Sequence, residues 1–299
     1  LVFITGGSSG IGQALAVRFY QAGYRLALVA RQSEVINAWF EQQDMTPTRC
    51  RAYAADVRDF SALAAVAQAC MAEQGLPSIV IANAGISEGI DTAEFEDLEV
   101  MRATFETNNL GLAATFHPFL RPLWARRSGT LVGIASVAGI RGLPGHGAYC
   151  ASKAAVISYC ESLRIECKPH GVRVMTLLPG YVATPLTAEN RYPMPFLMQP
   201  NVFADKAFRA IESGASYRVI PWQMGVAAQL MRMLPNAWFD RLVTGRARKQ
   251  RKGHRCEQGL VSCQGSNATC SLALKPDGGG LKRHLSPDTA PGESEGSSP

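Results

Sequence analysis

Short, mostly apolar stretches alternate with segments of helix length from the first residue of this 299-residue chain. Residues 1–5 read as a buried strand. Further strands are expected at 25–30, 51–55, 78–82, 131–135 and 173–178, with a weaker one at 217–221. A strand that is apolar along both faces must be covered on both faces, and parallel strands need a crossover between them. The pattern therefore predicts an α/β fold: a doubly wound parallel sheet in a three-layer α/β/α sandwich. In such sheets ligands sit outside the carboxyl ends of the strands. The motifs below all fall just after a strand or on the helix that follows it.

The first turn is Thr5-Gly6-Gly7-Ser8-Ser9-Gly10-Ile11-Gly12, followed by a helix expected over 11–22. A dinucleotide pyrophosphate needs backbone N–H groups aimed at it and no side chain between. Gly6, Gly10 and Gly12 meet that need, and the positive end of the helix adds to it. The ordinary alternative is a plain strand–helix loop. The flanking strand and amphipathic helix favour the nucleotide reading. At the end of the second strand stands Arg31, where a cofactor with a free ribose hydroxyl usually meets a carboxylate. A guanidinium suits a 2′-phosphate, so NADP(H) is the preferred cofactor and NAD(H) the alternative. A surface arginine merely ending a strand is the plainer reading.

Tyr149 and Lys153 stand four apart and share a helix face. Ser136 precedes Tyr149 by thirteen positions. A free tyrosine titrates near pH 10 (about 10), and a neighbouring ammonium is expected to pull it down. Ser136, just past a strand, can hold a substrate oxygen for proton transfer.

With these residues together the chain resembles the short-chain dehydrogenase/reductase family, over residues 1–221, and so a Rossmann-type fold. The resemblance implies a hydride exchanged between a nicotinamide and a small-molecule carbonyl or alcohol. It implies catalytic roles for Asn108, Ser136, Tyr149 and Lys153, with Tyr149 as general acid/base. Asn108 is preferred to Asn109 because the family spaces its asparagine three residues before Gly111. Cofactor contacts follow at Thr5, Gly6, Ser8, Ser9, Gly10, Ile11, Gly12, Arg31, Asp56, Val57, Asn83, Ala84 and Gly85. Tyr149, Lys153, Pro179, Gly180 and Thr184 complete that set. Asp56-Val57 matches an adenine contact and Thr184 the loop over the nicotinamide. The family also implies a homodimer or homotetramer, through the helices bearing Asn108 and Tyr149. Some proteins of this fold are nucleotide-binding sensors or scaffolds without turnover, but they commonly lack the tyrosine or lysine kept here.

Residues 185–200 carry Tyr192, Met194, Phe196, Leu197 and Met198 among prolines. They suit either a lid over a bulky hydrophobic substrate or packing on the body. Two fragments, 95–100 and Thr184-Pro185 with Glu189-Asn190-Arg191, are similar to 3-ketosphinganine reductases, which implies a lipid-like ketone.

The net charge of +6 is local. Arg241, Arg246, Arg248, Lys249, Arg251, Lys252 and Arg255 supply it, and without them 23 basic residues face 24 acidic ones. The stretch reads as a solvated, disordered segment, with a peripheral membrane contact as its functional alternative; no nucleic-acid partner is expected. Residues 1–222 are expected to form the catalytic domain and 223–252 a helical, basic extension with amphipathic helices at 226–234 and 237–243, which suit local packing or, with the basic stretch, a membrane surface. Residues 253–299, rich in Gly, Ser and Pro, are expected to be disordered. Cys160 and Cys167 read as core residues, and Cys256, Cys263 and Cys270 make no Cys-x-x-Cys pair. No metal site is expected, and a reducing cytoplasm fits. The chain starts at Leu1 on an apolar strand, so a short start is expected to be missing and an upstream targeting segment stays open.

Overall fold

A computed structural model describes residues 1–188, 190, 192–245, 248, 249 and 251. They fall in one compact unit, Leu1–His254. The expectations for 253–299, including the last three cysteines, lie outside the described residues.

Seven strands form one parallel sheet: β1 (Val2–Thr5), β2 (Leu26–Ala30), β3 (Cys50–Ala54), β4 (Ile79–Ala82), β5 (Gly129–Ile134), β6 (Val172–Pro179) and β7 (Tyr217–Ile220). Their order is β3-β2-β1-β4-β5-β6-β7. The chain steps outward from β1 to β3, then returns to β4 on the other side of β1. Val2 is in register with Leu26 on one side and with Ile79 on the other. This reversal opens a crevice beyond the carboxyl ends of β1 and β4.

The helices are α1 (Gly10–Gln21), α2 (Ser33–Gln42), α3 (Phe60–Gln74), α4 (Asp97–Phe105), α5 (Gly111–Arg126), α6 (Gly147–Cys167), α7 (Pro185–Ala188), α8 (Pro200–Glu212), α9 (Trp222–Met233) and α10 (Asn236–Val243). A single π turn, Glu106–Leu110, joins α4 to α5. Side chains alternate across each strand, so β1 feeds two cores. Val2 and Ile4 pack with Leu15, Phe19 and Phe203 from α1 and α8. Phe3 packs with Phe116, Phe119 and Val156 from α5 and α6; its ring meets Phe119 edge-on at 4.8 Å. Cys160 and Cys167 lie buried in this second core.

The C-terminal region departs from its sequence reading in two ways. α9 starts four residues earlier than the periodicity indicates, because Pro221 stands at its N-cap with an extended backbone. Part of the basic stretch is also not solvated but docked on the body. Arg251 donates twice to the buried Asp97 carboxylate, at 2.8 and 3.0 Å. Lys249 donates to Ser87 Oγ at 3.1 Å, and Arg248 lies 3.8 Å from Asp91. The acids that hold this strap sit in the segment that follows β4. Arg246, Lys252 and Arg255 lie outside the described residues.

Candidate active site

The glycine turn leaves β1 at the crevice. Gly10 has φ +57°, a left-handed conformation that side chains resist. A Cβ on Gly12 would stand 2.1 Å from the Gly6 carbonyl oxygen, so helix and turn can approach only through glycine. Ser9 is extended at the N-cap of α1 and its hydroxyl makes no capping bond. The first-turn N–H groups are thus left for an anion. Asn83, at the end of β4, ties the crevice together: its amide donates to the carbonyls of Thr5 and Gly6, each at 3.1 Å.

A cavity of about 680 Å³ runs over this turn. Gly6, Ser8, Ser9, Gly10 and Ile11 floor it; Arg31, Asp56 and Val57 lie toward one end, with Asn83, Ala84 and Gly85 alongside. Ser136, Tyr149, Lys153, Pro179, Gly180 and Thr184 also line it. Three of the expected site residues do not. Thr5 is buried in β1, where its hydroxyl accepts from Asn83 N–H at 3.2 Å. Gly12 lies under the turn, and Asn108 stands behind the wall. The Asp56 carboxyl is held below its ordinary range by the hydrogen-bonded Arg58 guanidinium, 2.7 Å away.

Ser136 follows β5 and accepts from Ala138 N–H at 3.2 Å. Burial pushes the Tyr149 phenol up to about 12, while its hydrogen bond with Ser136 pulls the other way. Lys153, four residues on, shares the helix face with Tyr149. Its Nζ lies 5.8 Å from the Tyr149 ring centre and donates to the Ile134 carbonyl at 2.8 Å. Burial lowers its own pKa to about 8. Asn108, in the π turn, accepts from Ile86 N–H at 2.8 Å and donates to the Ile86 carbonyl at 3.0 Å and to Ser152 Oγ at 2.9 Å. It joins the loop after β4 to the second turn of α6. Asn109 instead donates to the Ser152 carbonyl, at 2.8 Å.

A second cavity, about 660 Å³, adjoins the first. Ser136, Tyr149 and Gly180 line both. Its walls are largely apolar: Tyr192, Pro195 and Phe196 come from the 185–200 segment, and Met224, Met231 and Phe239 from α9 and α10. Of the other residues expected in a lid, Met198 is buried in the main core and Leu197 faces outward. The contribution of α9 and α10 was not read from the sequence, although the seven-residue spacing of Met224 and Met231 puts them on one face. His146, in this wall, is driven down to about 4 by burial and by the nearby Lys249 charge. Among the described residues no group of three His, Cys, Asp or Glu side chains is placed to hold a metal ion.

Comparison with known proteins agrees with this architecture. The family model for short chain dehydrogenases matches residues 1–194. An uncharacterized oxidoreductase of Myxococcus xanthus (strain DK1622) is 36% identical over 237 residues, which cover 79% of this chain and 93% of that protein. A short chain dehydrogenase from Burkholderia cenocepacia J2315, solved in complex with NADP, superposes with a TM-score of 0.69 at 24% identity over 81% of this chain and 97% of its own. The 3-ketoacyl-(acyl-carrier-protein) reductase from Brucella melitensis, complexed with NADH, gives 0.66 at 25% identity over 73% and 95%. The chain belongs to the short-chain dehydrogenase/reductase family.

Proposed function

We propose that this oxidoreductase is NADP(H)-dependent and interconverts a carbonyl and an alcohol on a bulky, apolar molecule. The observation that carries the reading is the pair Ser136 and Tyr149, which line both the glycine-floored cavity and the apolar one. The uncapped N–H groups of α1 would hold the pyrophosphate, and Arg31, with Asp56 and Val57 near it, the adenosine end. Pro179, Gly180 and Thr184 stand where the nicotinamide end would lie. When bound, the cofactor supplies or accepts the hydride. Ser136 positions the substrate oxygen. The Tyr149 phenol, kept protonated by burial, is suited to give its proton to that oxygen during reduction and to take it back in the reverse direction. Lys153 holds the ribose side of the site, with Asn108 as the brace behind it.

Family membership also supports a homodimer or homotetramer; Leu110, Tyr159 and Ile165 are exposed on the layer that bears Asn108 and Tyr149. A peripheral membrane contact through the basic C-terminal segment belongs to the same proposal, with Lys249 and Arg251 engaged on the body. Among the described residues no helix is long and apolar enough to cross a membrane.

The test is to bind NADPH and NADH to the purified chain and follow oxidation of each against hydrophobic ketones and aldehydes of increasing length. The expected result is tighter NADPH binding and turnover that rises with chain length. Binding without turnover of any member would favour the sensor reading. Failure to bind either nucleotide would remove the role given to the glycine turn.

A further inference from the structure

α9 and α10 are apolar on two sides. At about 100° per residue, Trp222, Val226, Leu230 and Met233 fall within about 80° of arc on α9. Met224, Ala227, Ala228 and Met231 lie on the opposite side, where they line the apolar cavity. α10 repeats the arrangement: Phe239 and Val243 are buried toward the cavity, while Trp238 and Leu242, four apart, share an outer face. That outer surface is unusually bare for large apolar groups: Trp222 is 68% exposed, Met233 74% and Trp238 72%. A helix needs only one apolar side to pack on its own domain, so the second needs a partner.

The charge around it indicates which partner. From Trp222 to Val243 the sequence holds two basic residues and one acid, Asp240, and six more basic residues follow up to Arg255. Of these six, Arg248, Lys249 and Arg251 meet Asp91, Ser87 and Asp97 on the body. Arg232 and Arg241 are exposed on the two helices themselves. Paired tryptophans with arginines beside an aliphatic stripe are the composition of a helix lying in a headgroup layer. We propose that the outer face of α9 and α10, led by Trp222, Leu230, Met233 and Trp238, seats the protein on an anionic lipid bilayer. The inner side of the same helices walls the apolar cavity. Seating therefore places that cavity about one helix diameter, roughly 10 Å, from the lipid. An apolar substrate dissolved in the bilayer would then be taken up beside its source. The membrane contact then lies on a folded face rather than on the basic segment alone.

The experiment is co-sedimentation of the purified full chain with phosphatidylcholine vesicles and with vesicles containing phosphatidylserine, for wild type and Leu230→Ser/Trp238→Ser. Both positions are exposed, and cofactor binding by the variant checks that it remains folded. Wild type is expected to sediment with the phosphatidylserine vesicles and, on binding, to shift its tryptophan emission to shorter wavelength. The double variant should partition about tenfold less, since each lost side chain removes apolar area from the interface. No sedimentation of wild type overturns the proposal. Sedimentation undiminished in the variant also overturns it, and would leave the contact with the basic segment alone. A wild-type oligomer that the variant dissolves, without vesicle binding, would assign the face to a second copy and reject the bilayer.

Discussion

Asn108→Ala should destabilise the fold before it affects chemistry. Asn108 is 1% exposed, and its three hydrogen bonds, at 2.8, 3.0 and 2.9 Å, reach the Ile86 N–H, the Ile86 carbonyl and Ser152 Oγ. Truncation removes all three at once. Ser152 keeps one bond, to the Tyr149 carbonyl at 2.8 Å, but the Ile86 groups lose the side chain that satisfied both of them. At about 1 kcal/mol for each net bond, the loss sums to about 3 kcal/mol. For a domain of this size that lowers Tm by about 6–12 °C. Urea denaturation with two optical probes would read the free energy. Asn108→Asp keeps the acceptor for Ile86 N–H but sets an oxygen against the Ile86 carbonyl, so it should restore little of the loss. Destabilisation below about 1 kcal/mol would mean that water replaces the amide without penalty, and the brace between the loop after β4 and α6 would have to be given up.

Tyr149→Phe should lower kcat by about 10²- to 10⁴-fold with NADPH affinity nearly intact by fluorescence titration; retained turnover would take the phenol out of the reaction. Arg31→Asp should move the NADPH-to-NADH preference in kcat/KM toward NADH by about 10- to 100-fold, the worth of one or two charge-assisted bonds. An unchanged ratio would dismiss the 2′-phosphate contact. Lys153 has a pKa near 8 when folded, lowered by burial from 10.5, so between those values the unfolded chain holds the extra proton and stability rises with pH. Wild type should therefore gain stability over Lys153→Met as pH increases from 8 to about 10, measured by parallel urea midpoints. A difference that stays flat, or shrinks, would show that the ammonium is not desolvated.

What could be read in advance follows from how local each signal is. β2 and β4, and β1 up to Thr5, are apolar along their length because the sheet is covered on both faces, and each strand fell within a residue or two of its expected place. The glycine turn and the Tyr149–Lys153 pair are written in adjacent residues, so their neighbourhood was legible. The direction of Lys153 Nζ was not: spacing places two side chains on one face but does not say that a strand carbonyl lies nearer than the phenol. The strap was misread for the opposite reason. A run of arginines resembles any solvated segment until its acids are known, and Asp97 lies 154 positions from Arg251. The π turn that sets Asn108 inward left no recognisable pattern in Glu106-Thr107-Asn108-Asn109-Leu110.

That same distance has a consequence for how the molecule comes into being. A chain made from its N-terminus can pair β1 to β6 long before Arg251 exists, and until then the Asp97 carboxylate lacks its guanidinium partner. Among the described residues, the clamp between Arg251 and Asp97 is thus one of the last long-range contacts that synthesis makes available. α9 and α10, made just before it, finish the apolar chamber at the same late stage. The nascent protein acquires its nucleotide crevice first and its substrate chamber last, so a nucleotide can meet the growing chain before any substrate can be enclosed.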